Sequence, residues 1–391
     1  MNKSSSIKTD IYKVRIVKSK SINNFLNFTN ETNSIILKKI KKKGNFYLDK
    51  DEINSGIDIG QDFVNGKSQS ILGKGFNLGD GVFNLSQDEY HNYNFTDEEK
   101  KLLKPFYTTK EINRYLNIKK NRYWVIYTSS KFKKHEEILP FPNIKKHLDK
   151  FQSIITSDNK PYGLHRTRNE MIFKGEKILS IRKCTRPSFS FVDYDCYVNR
   201  TFNIIKSERI NLRYLKCLLN PTLIKFWLKE KGKLQGDIFQ VDINPLLSIP
   251  LIAVDTIKEN ELLILADSLP NHNKDFQDKI LKFSIYLQSQ FAIEKFTKKL
   301  ENWYDLSFGD FINEINKAIK ENNKERAKNN LQPIKELTKL EEMDWMEVFE
   351  TKKAEAQNLK QQIQTTDKEI DAMVYELYGL TEEEKLIVEN S

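Results

Sequence analysis

The chain has 391 residues, 39% hydrophobic and 11% aromatic: enough to build cores, which excludes global disorder, and too long for one ordinary core, so two or three domains are expected. The formal net charge is +10, and no apolar run is long enough to span a bilayer, so no membrane role is expected. Three cysteines, Cys184, Cys196 and Cys217, stand 12 and 21 positions apart, which matches no zinc-ligand spacing and suits a reducing cytosol.

The charge is unevenly distributed. Residues 1–50 carry 12 basic and 3 acidic side chains, and residues 51–100 carry 3 and 10. Residues 101–255 carry 30 basic against 14 acidic, an excess of +16, whereas residues 256–391 carry 19 against 27. The central block also holds nine of the ten arginines in 101–391. Abundant Asn, Lys and Ile point to an AT-rich genome, which enriches lysine but does not favour arginine. A compact domain with that excess attracts a polyanion, nucleic acid first.

The N-terminal "MNKSSSIKTD" has no apolar signal region, so a cytoplasmic location in a bacterial cell is expected. Residues 1–50 read as an irregular segment, and the run Lys38-Lys39-Ile40-Lys41-Lys42-Lys43 as a solvated face or tail. Residues 54–85 hold seven of the 14 glycines without a phosphate-cradling motif, so "GKG" and "GDG" predict tight turns between short strands. Thr96 with Glu99 is a capping box opening a short helix that stops before Pro105. Residues 108–116 have helical spacing, 122–130 read as a buried strand, and Pro142 opens a basic helix.

From 172 onward the period is two. "IFKGEKILSIRK" and "SFSFVDYDCYVNRTFNIIK" predict strands, with "VDYD" as a hairpin turn, and "NLRYLKCLLN" and "PTLIKFWLKEKG" predict helices, the second with Pro221 at its first position. Without βαβ alternation the expected class is α+β: a mixed domain followed by an α-helical, coiled-coil-like spacer. In that spacer Phe276, Ile280, Phe283 and Leu287 step by helical intervals. Leu359, Ile363, Thr366, Ile370, Met373, Leu377 and Leu380 keep a heptad seam roughly 33 Å long. An intramolecular helical partner is favoured, with a face left for a subunit, and Thr381 with Glu384 opens a last short helix.

Catalytic motifs are missing from the sequence. Five histidines are scattered, and no Ser or Cys sits in a nucleophile elbow. Asp158 and Glu176-Lys177 lack the intervening residue a metal-dependent nuclease pattern needs. The Asn-Pro pairs, Asn220-Pro221 and Asn244-Pro245, are followed by Thr222 and Leu246 instead of the Pro-aromatic step of an adenine methyltransferase. What remains is a binding surface. Its candidates are Tyr162, His165, Arg166, Arg168 and Asn169 of "YGLHRTRN", Lys174 of "FKGEK", Arg182, Lys183 and Arg186 of "SIRKCTR", Lys231, Lys233 and Gln235 of "KGKLQ", and Lys110 with Arg114. Arginine and lysine can fork onto guanine, Asn and Gln onto adenine, and an aromatic or histidine ring can stack or meet phosphate.

"GDGVFNLSQDEY", "LLKPFYTTKEINRY", "YWVIYT", "PNIKKHLDKFQSIITSDNKPYGLHRTRNE", "FKGEKILSIRK", "DYDCYVNRTFNII" and "LNPTLIKFWLKEKGKLQGDIFQVDINPLLSIPL" follow in this order over about residues 55–252. Together they resemble the TaqI-like specificity domain of type IIG restriction–modification enzymes and N6-adenine DNA methyltransferases. "VYELYGLTEEE" (374–384) resembles the end of such enzymes. The resemblance implies a double-stranded DNA partner read in the major groove. It also implies a methyltransferase or endonuclease subunit or domain that flips the adenine and carries S-adenosylmethionine; no cofactor is expected in this chain. Family enzymes usually carry the catalytic domains ahead of this module, whereas about 50 residues precede it here. The chain is thus expected to be a specificity subunit or fragment, with residues 1–54 a connector, 55–255 the recognition domain and 256–391 the spacer. The alternatives are a piece of a single-chain methyltransferase–endonuclease, or an inhibitor that occupies the catalytic partner through the seam at Leu359–Leu380. In the recognition reading Arg166, Arg168, Arg182, Arg186 and Gln235 read bases, and Lys174, Lys183, Lys231 and Lys233 hold phosphates.

Overall fold

The computed structural model describes residues 31–391 apart from Leu116 and Glu294, together with the backbone of an antiparallel ribbon, β1 (Ser5–Lys8) and β2 (Lys13–Ile16). Of the irregular segment expected over 1–50, the rest of residues 1–30, including most of "MNKSSSIKTD", lies outside the described residues. The fold is α+β, with small antiparallel sheets among the helices. It comprises two compact units: Met1–Thr109, Lys120–Val254 and Val374–Ser391 form the first, and Lys110–Lys119 with Asp255–Met373 the second.

In the first unit the lysine run is helical. Helix α1 (Glu31–Lys43) buries Ile36, Leu37 and Ile40, and places Lys41, Lys42 and Lys43 in its last turn, where the helix dipole favours cations. Of the solvated face or tail expected, the run is the face: it forms the solvated side of an amphipathic helix, because the isoleucines recur at its spacing. After β3 (Ile53–Ser55) and α2 (Gly66–Leu72), Gly73, Gly75 and Gly79 take positive φ of 81°, 118° and 93°. The glycines make turns as expected, although the first follows a helix instead of a strand. Strand β4 (Asn84–Ser86), α3 (Gln87–Asn92), α4 (Asp97–Leu102), β5 (Leu103–Phe106) and β6 (Tyr123–Ile126) follow, with β6 in the middle of the sheet β4–β6–β5. The helix expected over 108–116 does not form. Turns replace it, and 110–119 joins the second unit.

Both halves of the Thr96–Glu99 capping box are present. Glu99 does more than cap its own helix. Its carboxylate also accepts from the backbone N–H groups of Asn143 (2.6 Å) and Ile144 (3.1 Å), at the start of α5 (Pro142–Asp149), and from Asn143 Nδ2 (2.9 Å). Burial works to raise its pKa, yet these donors hold it below the usual carboxylate range. Glu99→Ala would strand those donors, so a loss of about 3 kcal/mol in urea unfolding is expected, with Glu99→Gln milder. A loss under about 1 kcal/mol for the alanine variant would refute the double-cap role.

His147 of α5 is buried, hydrogen-bonded through Nε2 to the Val82 carbonyl (2.8 Å) and through Nδ1 to the Tyr93 hydroxyl (3.0 Å). Burial pushes its pKa from 6.5 down to about 4. The unfolded chain therefore binds the proton first, and stability falls as pH drops from about 6.5 towards 4. Compared with His147→Gln, the native chain should lose roughly 2–3 kcal/mol more between pH 7 and pH 4.5. Equal pH slopes in chemical unfolding would contradict this.

Strands β7 (Lys177–Ile181), β8 (Lys183–Cys184), β9 (Phe189–Val192) and β10 (Phe202–Ile205) come next, and the main sheet has the order β3–β10–β7–β9. "VDYD" is not a hairpin turn, because β9 and β10 both pair with β7 and not with each other. The apolar residues of β7 and β10 fall on both faces (Ile178, Leu179, Ile204, Ile205), so both strands are central, and the 193–201 connection crosses to bridge Phe106 and Ile57. Helix α6 (Leu212–Leu219) and α7 (Thr222–Lys231) follow, with Pro221 just ahead of the second as its cap residue. A hairpin of β11 (Lys233–Gln235) and β12 (Ile238–Gln240) then turns on Gly236 at φ 59° and leads into α8 (Ile243–Leu247).

The second unit is helical: α9 (Thr256–Phe291), α10 (Phe308–Lys328) and α11 (Lys339–Tyr378). Phe276, Phe283 and Leu287 of α9 are buried as expected, with Ile280 half-buried. On α11, Phe349, Ala356, Ile363 and Ile370, spaced by seven, are buried, as is Thr366. Phe349 stacks on Phe311 of α10 at 4.3 Å between ring centres. Of the expected seam, Ile363, Thr366 and Ile370 are thus covered within the chain, whereas Leu359, Met373 and Leu377 are half-buried. The last residues of α11 belong to the first unit, where the Tyr378 hydroxyl donates to the Pro250 carbonyl (2.6 Å). After Gly379 (φ 68°), the Thr381–Glu384 capping box opens α12 (Glu382–Glu389), and Lys39 binds Glu384 at 2.5 Å.

Candidate nucleic-acid interface

The sheet edge around β8 gathers four arginines from distant parts of the sequence. Arg182, between β7 and β8, hydrogen-bonds Asp242 through Nη2 (2.6 Å) and Nε (3.2 Å), and donates from Nη1 to the Arg200 carbonyl (3.1 Å). Arg200 in turn pairs with Asp58 at 2.8 Å. Arg166 exchanges two backbone hydrogen bonds with Asp58, of 2.9 and 3.1 Å. Arg168 is held by its Nε on the Ser55 carbonyl (2.9 Å) and by its backbone N–H on the Tyr127 hydroxyl (2.9 Å). These residues, with Asn203, Ile243 and Asn244, line one open cavity of about 370 Å³.

The four guanidiniums are not equivalent. Arg182 and Arg200 are oriented by carboxylates. Arg168 is half-buried, and burial lowers its pKa, with Asp58 opposing and Arg166 and Arg200 reinforcing that shift. It nevertheless stays charged, as arginine does. Arg166 is exposed, and its guanidinium makes no hydrogen bond or ion pair among the described residues. Two aspartates against four arginines leave a cationic cleft with planar donor forks, the geometry that suits phosphate oxygens and the O6/N7 edge of guanine.

A second element adjoins it. Strand β12 pairs with both β11 and β8, so that Gln240 stands opposite Lys233 on one side and Lys183 on the other. Directly paired residues share a face, so this row carries two exposed lysines flanking an amide. Gln235 is exposed beside it and accepts from Gln240 Nε2 (3.1 Å). The segments "SIRK" and "KGKLQ", fifty positions apart, are thereby joined, and Arg182 links the row to the arginine cavity.

The other expected residues are placed differently. Tyr162 is 3% exposed, its hydroxyl donating to Asp149 (2.8 Å) and its carbonyl accepting from Thr128 (2.6 Å), so no ring face is free for a base. Arg114 is 9% exposed and paired with Asp367 at 3.1 Å in the second unit, to which Lys110 also belongs, so neither joins the cluster. His165 is half-buried, and its Nδ1 accepts from the Asp158 backbone (3.3 Å). Asn169 caps the turn Glu170–Phe173 by accepting from Met171 (3.0 Å). Lys174 and Arg186 are exposed outside the arginine cavity, and Lys231 lines a separate one. Ser55, Asp58, Arg200, Asn203, Asp242 and Asn244 were not named as site residues; Arg200, Asn203, Asp242 and Asn244 lay in segments that carried the resemblance, whereas Ser55 and Asp58 did not. Among the described residues no cluster of His, Cys, Asp and Glu could hold a metal ion, and no helix is long and apolar enough to cross a membrane.

A family described as a domain of unknown function (DUF8810) matches residues 255–374, nearly the span of the helical second unit. No curated protein matches the chain. Among solved structures, the chain is similar to the type IIL restriction–modification enzyme MmeI in complex with DNA, at 13% identity and a TM-score of 0.40, over 90% of this chain and 42% of that one. It is also similar to the type IIG restriction endonuclease BpuSI, at 12% identity and a TM-score of 0.35, over 61% of this chain and 28% of that one. The chain spans less than half the length of either enzyme.

Proposed function

We propose that the first unit reads double-stranded DNA and directs N6-adenine methylation, cleavage or both by a catalytic subunit or domain that carries the S-adenosylmethionine. The observation that carries this reading is the convergence of Arg166, Arg168, Arg182 and Arg200 on one open cleft beside the Lys183–Gln240–Lys233 row. These residues come from a block with 30 basic and 14 acidic side chains. The carboxylate-held arginines present fixed forks, and the lysine row supplies non-directional attraction to the backbone. In this reading Arg166 and Arg168 face bases, Arg182 and Arg200 shape the cleft, and Lys183 and Lys233 hold phosphates. Gln235 is the candidate for an adenine edge. The resemblance of residues 55–252 to specificity domains supports the same partner.

The test is selection from random duplex DNA with the purified chain at two salt concentrations. A short enriched motif containing an adenine, with affinity falling steeply as salt rises, is the expected result. Binding that enriches no motif would overturn autonomous reading, and absence of binding at both salts would overturn the DNA assignment.

A further inference from the structure

A second cavity in the first unit differs in character from the arginine cleft. It is open, about 530 Å³, and lies between α1 and α7, within the size range of small-ligand sites. Its floor is apolar: Leu37 and the Trp227 indole are 5% and 4% exposed. The exposed ring of Tyr47 forms a wall. Lys38 and Lys41 of α1 and Lys231 at the end of α7 stand around it, and no carboxylate lines it. Where the arginine cleft has two aspartates for its four cations, these three lysines have none, and none of them pairs with a described acidic residue.

The arrangement is held in place. Asn33 of α1 donates to Glu230 of α7 (2.9 Å), tying the two walls together. The indole Nε1 points to Ser248 Oγ (3.4 Å), and that hydroxyl donates to the Pro245 carbonyl (2.7 Å), which orients the floor. Lys39, between the two lining lysines, is turned instead to Glu384. Lysines three apart on one helix face repel each other, so keeping Lys38 and Lys41 together without a counter-charge favours an anion from outside. An apolar and aromatic floor beneath a cationic rim selects an anion attached to a flat apolar body.

We propose that this pocket binds a mononucleotide-like phosphate ester, its phosphate among Lys38, Lys41 and Lys231 and its ring against the exposed face of Tyr47, above the floor of Leu37 and Trp227. Duplex backbone fits less well, because its phosphates ride on a convex surface and bring no ring to a recessed floor. The inference does not depend on the DNA-reading proposal, since the two cavities share no lining residue.

The test is calorimetric titration of the full chain with AMP, adenosine and inorganic phosphate. AMP should bind one to one, with adenosine and phosphate each at least tenfold weaker. The Lys38→Gln/Lys41→Gln double variant and Lys231→Gln, all at exposed positions, should each weaken AMP at least tenfold while leaving the circular dichroism unchanged. No heat with millimolar AMP, equal affinity in the variants, or displacement of AMP by non-specific duplex DNA would each overturn the proposal. Failure of motif selection with AMP binding intact would count against DNA reading alone.

Discussion

Arg166→Ala should cost about 1–3 kcal/mol of binding to the preferred DNA and relax the choice of base at one position, leaving non-specific affinity almost unchanged. Among the described residues the exposed guanidinium of Arg166 has no partner to give up, so its donors are available to DNA. Arg168→Ala should cost at least as much, because its Nε also ties the recognition loop to Ser55 at the end of β3. Lys183→Ala and Lys233→Ala should instead weaken all sequences alike and flatten the salt dependence by about one unit each. Competition binding against single-base variants of the selected motif separates these outcomes. If Arg166→Ala and Arg168→Ala weaken every sequence equally, the base-reading assignment is wrong.

Trp303→Ala should destabilise the helical unit by about 3–5 kcal/mol, the range for removing a fully buried large aromatic. Trp303 is fully buried, with its ring 4.5 Å from Phe283 and 6.4 Å from Phe349 between centres. It joins α9 to α11 ahead of the α10 packing, so its loss opens a cavity that rigid helices cannot close. Its Nε1 finds no acceptor among the described residues. Trp303→Phe is therefore expected to cost much less than alanine, since it removes an unpaired buried donor along with part of the ring. Urea unfolding followed by far-ultraviolet circular dichroism would show both effects. A phenylalanine variant as unstable as the alanine one would mean that the indole nitrogen is engaged.

Elements whose signal is contained in a few neighbouring residues were legible in the sequence. The Thr96–Glu99 and Thr381–Glu384 boxes, the strand at Tyr123–Ile126, the helix opening at Pro142 and the α11 seam all formed, because each depends on hydrogen bonds or spacing within one turn or one ladder. The 108–116 helix failed although its spacing was helical, because Arg114 is buried against Asp367, more than 250 positions on in the same unit, and that contact outweighs local propensity. The hairpin at "VDYD" failed because a turn sequence does not specify which strand its neighbours pair with. Helix α10, seated on Phe349, was not anticipated from its own residues.

The candidate site divides in the same way. Composition and the arginine count were enough to locate a cationic block, since charge adds up along the chain whatever the fold. The expectation that "HRTR", "SIRK" and "KGKLQ" belong to one surface also rested on sequence. Which side chains share that surface was settled only by packing. Burial withdrew Tyr162 and Arg114, whereas sheet pairing set Lys233 and Lys183 on either side of Gln240. Asp58, Arg200 and Asp242 became cleft residues because Asp58 meets Arg200 across 142 positions and Arg182 meets Asp242 across 60, and register between distant strands is a property of the whole core that no local stretch encodes.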